Sequence, residues 1–145
     1  MKKERFTIGI NAPAEKVWNV LWNDETYRAW THVFSEGSYA LSDWKEGSKI
    51  QFLGSDGSGM FSVIDKLIPN EFMSFKHMGI VKDGEEQAID QETESWTGAK
   101  ENYTLKGSNG STELIVEMDV TDDHASYFHD IFPKALQKVK ELSES

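Results

Sequence analysis

Apolar and polar residues alternate from Arg5 to Ile10, the pattern of a half-buried strand, and the period changes at Asn11-Ala12-Pro13. Proline suits a first helical turn, where its missing amide would have no partner anyway. Val17, Val20 and Leu21 then recur at steps of three and four, with Trp18 and Trp22 as a second stripe, which predicts an amphipathic helix. Asn23-Asp24 reads as its stop and as the cap of a short second helix through Trp30. From there to Val120 the pattern predicts six strands, over residues 35–41, 49–53, 60–68, 72–77, 95–106 and 111–120. Gly54 to Gly59, Pro69-Asn70 and Asn109-Gly110 supply the turns between them, because these residue types tolerate the backbone that tight turns need. Register is plainest in the last strand, where Thr112, Leu114, Val116, Met118 and Val120 share one face against Glu113, Glu117 and Asp119. The acidic stretch from Asp83 to Glu94 is expected to be a solvated loop, with a lid over a cavity mouth as the sharper reading. After Thr121-Asp122-Asp123, a cap, the residues Ala125, Phe128, Phe132, Ala135, Val139 and Leu142 form one apolar helical stripe. Pro133 falls within it, so this helix should kink near Phe132 or restart there.

The chain thus reads as one α+β domain over residues 1–145, a curved antiparallel sheet crossed by a long C-terminal helix. A chain of 145 residues is long enough for a core that buries roughly 70% of its unfolded surface. It has no cysteine, which removes disulfides, thiolate metal sites and a cysteine nucleophile. Its formal charge of −10 argues against a nucleic-acid or anionic-membrane surface, since binding polyphosphate relies on clustered Lys and Arg. No apolar block has the length of a signal peptide or a bilayer span, so the expectation is a cytoplasmic protein without membrane insertion. The glycosylation-like triplets at Asn102 and Asn109 carry no weight in that setting.

The order of elements, strand, two helices, six strands and a closing helix, resembles the helix-grip domains of the START-like (SRPBCC) superfamily. The resemblance is closest to the family named for the activator of Hsp90 ATPase homologue 1. Its carriers are Ile8 to Trp18 at the start, Trp30 at the end of the helical elbow, Trp44-Lys45-Glu46-Gly47-Ser48-Lys49-Ile50, Ile68-Pro69-Asn70-Glu71-Phe72, and Phe132 to Lys140. The chain departs from the family pattern at Gly47-Ser48, where members often have two glycines, and at His77, where a tryptophan is usual. The resemblance implies a sheet of about seven strands gripping the last helix, with a cavity between them that in relatives takes lipids, sterols or polyketides. It implies no shared catalytic motif. Stimulation of the Hsp90 ATPase belongs to larger relatives with a further domain.

The chemistry-bearing residues are few. His124 and His129 lie five apart, about 140° around a helix, and the histidines show no metal-ligand spacing. Gly54 to Gly59 lacks the lysine and helix of a phosphate loop, and no serine sits in a nucleophile elbow. Glu94, Lys100 and Glu101 are expected to be solvated. His77 alternates with Met73 and Phe75, which turns it inward, either as a satisfied strand-end residue or as a polar anchor. What stands out is aromatic content, 12% with five Trp and eight Phe. Core packing accounts for any one ring, but Trp30, Phe34, Trp44, Phe52, Phe75, Trp96, Tyr103, Phe128 and Phe132 together come from the elements that would surround a cavity. With His77 and Tyr103 as polar anchors, they are the expected binding set for a small hydrophobic or amphipathic ligand, lipid, sterol or polyketide-like. No catalytic residue, metal or cofactor is assigned, and the expected assembly is a monomer or weak dimer. The alternatives are a chaperone-associated module that meets a protein partner through its acidic surface, and a cavity-based cyclase or hydrolase.

Overall fold

The computed structural model describes residues 1–145. Strand β1 (Lys2–Ile10) leads through Pro13 into helices α1 (Ala14–Trp22) and α2 (Asp24–Thr31). The Asn23 side chain accepts from the Glu25 amide, so it caps α2 as its position predicts. Strands β2 (Tyr39–Ser42), β3 (Lys49–Leu53), β4 (Gly59–Ile68) and β5 (Phe72–Lys82) follow as antiparallel hairpins. After a two-residue strand β6 (Glu85–Glu86) and a one-turn helix α3 (Gln91–Glu94), β7 (Lys100–Ser108) and β8 (Ser111–Val120) complete the sheet. Helix α4 (Asp122–Glu144) closes it.

The strand order is β1-β8-β7-β5-β4-β3-β2, with β6 beside β5. The first strand pairs along its length with the last, so α1 and α2 carry the chain from one edge of the sheet to the other. Asn109 and Gly110 both have positive φ, the backbone that a primed hairpin turn between β7 and β8 requires. Register shifts between Phe61 and Ser62 and between Ile64 and Lys66 bend β4 against β5.

The core lies between the inward face of the sheet, α1, α2 and α4. Val17, Leu21, Ile50, Ile64, Phe75, Leu114, Val116, Ala135 and Val139 are fully enclosed there. Thr112, Leu114, Val116, Met118 and Val120 are all buried, as their alternation predicts, while Ile115 is buried from the opposite face.

Several boundaries differ from the sequence reading. The second strand begins at Tyr39 rather than Ser35, because Gly37 at φ 73° turns the chain first. Strand β5 runs five residues past His77 to Lys82. Residues 95–99 are a turn rather than strand, with Gly98 at φ 88°. The acidic segment is not a plain loop, since it holds β6 and α3, and it is not a lid. Glu86 binds Lys49 Nζ at 2.9 Å and Gln51 Nε2 at 3.3 Å, on the outward face of β3. Helix α4 does not restart at Pro133 but continues through it, and the Thr121 hydroxyl bonds His124 Nδ1 at 2.6 Å instead of capping an amide.

Candidate ligand cavity

Between α2, α4 and the inward sheet lies a cavity of about 270 Å³. It is lined by fifteen residues, ten of them aromatic. Seven are residues expected from the sequence. Trp30 and Phe34 come from α2 and the turn after it, Phe52, Phe75 and Tyr103 from the sheet, and Phe128 and Phe132 from α4. The rings meet edge to face. Phe75 lies 5.3 Å from Trp22 and 5.1 Å from Phe52, and Phe34 lies 5.2 Å from Phe132. Edge-to-face contact suits the ring quadrupole, and such pairs add to the wall's rigidity. Tyr127, 45% exposed, also lines the cavity, which marks where it reaches solvent.

Three expected residues do not line it. Trp44 packs behind the wall with its ring 5.8 Å from Trp22, on a backbone of φ 58°, and its amide is held by Ser42 Oγ at 3.0 Å. Trp96 sits half-buried in the turn before β7 and is absent from the wall, because residues 95–99 form a turn rather than strand. His77 does point inward and is buried, but other side chains cover it. Ser62 Oγ lies 2.7 Å from its Nδ1 and Glu101 Oε1 lies 3.1 Å from its Nε2.

Glu101 is the main correction. It was expected in solvent, yet it lines the cavity with its side chain only 17% exposed. Strand parity explains the difference. Lys100 faces outward to Asp65, at 2.8 Å, whereas Glu101 and Tyr103 face inward two residues apart. Its cross-strand neighbours are Phe75 and Met118, both in the cavity wall. The inward position of Tyr103 was the available signal; the outward pull of two adjacent charged residues hid it.

Glu101 Oε2 accepts from the Tyr103 hydroxyl, so a hydrogen-bonded chain runs Ser62, His77, Glu101, Tyr103. Burial, and secondarily the negative charge of Glu101, pushes the phenols of Tyr27 and Tyr103 well up, so both stay neutral donors. The Ser62, His77, Glu101 part has the composition of a nucleophilic triad. Ser62, however, is fully enclosed and does not line the cavity, so its hydroxyl meets no substrate surface. Trp22, whose ring is wall as well as core, keeps a buried indole Nε1 without a hydrogen-bond partner.

A curved antiparallel sheet closed by one long helix, with a cavity between them, defines the helix-grip class. The family model described as Activator of Hsp90 ATPase homolog 1-like protein matches residues 11–144, and the chain belongs to that family. Among solved structures it is similar to the Aha1 dimer from Colwellia psychrerythraea, at 22% identity and TM-score 0.68, covering 99% of this chain and 97% of that one. Protein MLL2253 from Mesorhizobium loti gives 15% identity and TM-score 0.73 over 97% of this chain and 96% of that one. DynU16, a protein of the dynemicin biosynthetic locus, gives 15% identity and TM-score 0.70; all of this chain is covered, but only 48% of DynU16, so the chain spans about half its length. A search of curated protein sequences finds no match. No helix is long and apolar enough to cross a membrane.

Proposed function

We propose that the chain is a non-enzymatic binding protein for a small, largely apolar molecule held between α4 and the sheet. The observation that carries this reading is the cavity itself. Ten rings surround about 270 Å³ without closing it, where a core would normally pack to crystal-like density. That volume lies just below the roughly 300–1,000 Å³ of drug-sized pockets, which favours a ligand of one ring system or one short chain over a two-chain lipid. Trp22 and Trp30 in the wall make tryptophan emission a direct reporter.

The test is native mass spectrometry of the protein purified from its own host, with extraction of anything bound and fluorescence titration to follow rebinding. A stoichiometric apolar molecule that rebinds to the wild type and poorly to Phe128→Ala is the expected result. A bare chain whose tryptophan emission ignores a broad library of apolar compounds would overturn the reading.

A further inference from the structure

The charge of the cavity wall narrows its ligand, given that the cavity binds one at all. Among the fifteen lining residues Glu101 is the only charged one, and no Lys, Arg or His accompanies it. The single basic group within reach is His77, which stands behind the wall rather than in it. Ser62 is wholly enclosed, and its only side-chain hydrogen bond is to His77 Nδ1. A Ser62 hydroxyl that donates to Nδ1 leaves Nε2 to carry the ring proton, and Nε2 lies 3.1 Å from Glu101 Oε1. Tyr103 supplies the second donor, a neutral phenol. Lys100, the next residue along, turns away to Asp65.

Glu101 therefore faces an aromatic cavity lined by no Lys, Arg or His, with His77 Nε2 and the Tyr103 hydroxyl as its hydrogen-bond partners. A carboxylate in such surroundings has no Lys or Arg to pair with, and aromatic faces attract cations as the carboxylate does. We infer that the cavity selects an organic cation, a small apolar molecule that presents an ammonium nitrogen to Glu101 among the rings of Trp22, Tyr27, Phe75 and Tyr103. An anionic ligand of the same shape, such as a fatty or aromatic acid, meets the like charge of Glu101 with no basic residue to offset it.

Phenylbutylamine, phenylbutanol and phenylbutyrate share one apolar skeleton and differ in the charge of the head, so tryptophan fluorescence titration with the three reads charge preference directly. The amine is expected to bind about tenfold more tightly than the alcohol, with the acid weakest. In Glu101→Gln the amine and alcohol should converge to within about threefold, with the alcohol little changed. The wild-type ranking stands by itself should that variant fold poorly. Binding of all three without preference, or a preference for the acid, would overturn the inference while leaving a ligand cavity in place. Failure of all three to bind at any accessible concentration would remove the cavity reading and this inference with it.

Discussion

Phe128 and Phe132 lie one turn apart on α4 and both line the cavity, yet they stand in different surroundings, and truncating each to alanine separates wall from core. Phe132 is 2% exposed; its ring stacks on Phe6 at 5.0 Å and meets Phe34 at 5.2 Å. Removing such a ring deletes its transfer free energy and leaves a void, which for buried phenylalanine costs about 3–5 kcal/mol. For a domain of this length each kcal/mol lowers the melting temperature by about 3 °C, so Phe132→Ala should lose about 12 °C. Phe128 is only half-buried and touches Tyr127 at 5.2 Å and Phe132 at 6.4 Å. Its truncation should cost about 1 kcal/mol, roughly 3 °C. Its effect belongs to the ligand instead. A ring that would be covered on binding is worth about 1.5 kcal/mol or more, so affinity for phenylbutylamine should fall about tenfold. Calorimetric melts and fluorescence titrations of the two variants supply both numbers. Equal losses of stability, or an unchanged affinity in Phe128→Ala, would refute this division of the helix.

Trp22→Phe removes a buried indole N–H that has no partner while losing some packing; the two effects roughly offset, so urea unfolding should place it within about 1 kcal/mol of the parent. A loss of several kcal/mol would mean the indole nitrogen is satisfied. Ser62→Ala strips His77 Nδ1 of its hydrogen-bond partner and should destabilise by about 1–3 kcal/mol, with a change in the His77 ring signals by NMR; a silent substitution would contradict the Ser62–His77 hydrogen bond. Tyr27 and Tyr103 have phenols raised above their ordinary range, first by burial and then by Glu101. The folded state therefore holds protons that the unfolded state releases. The stability this provides is complete below the ordinary phenol value of about 10 and is lost as the pH rises above it. Denaturant midpoints taken across that range should fall, with phenolate absorbance from these two residues appearing only on unfolding.

The three longer helices, most strands and most of the cavity rings were legible because each rests on a period that the sequence displays directly. The alternation of β8 buries the residues it predicts, and the stripe of α4 buries Ala125, Phe132, Ala135 and Val139 while leaving Phe128 and Leu142 half-buried. The errors arose where local signals compete. Gly37 and Gly98 turn the chain inside runs that read as strand, which displaced Trp96 from the wall. Trp44 looked like wall for its aromatic character, but its left-handed backbone sets it behind Trp22. Glu101 was hidden because a charged residue beside Lys100 reads as solvent-facing, and only its cross-strand partners Phe75 and Met118 reveal the face it occupies. Its role as partner to His77 depends on a contact between two strands, β5 and β7, which no linear pattern displays.

Pro133 has one more effect on how this helix is held together. With no amide hydrogen there, the His129 carbonyl has no partner one turn along, so α4 is interrupted electrostatically while remaining geometrically continuous. The interruption falls between two unlike halves. Beyond it, Ala135, Leu136 and Val139 are buried and the end is fastened to the close of β1, where Asn11 N binds Glu144 Oε2 at 2.8 Å and Lys140 Nζ binds the Gly9 carbonyl at 3.1 Å. Before it lie Tyr127, Phe128 and Phe132, the residues that roof the cavity. The missing hydrogen bond thus falls at the boundary between the half of the helix tied to β1 and the half that roofs the cavity, so the two halves are joined by side-chain packing more than by the backbone ladder.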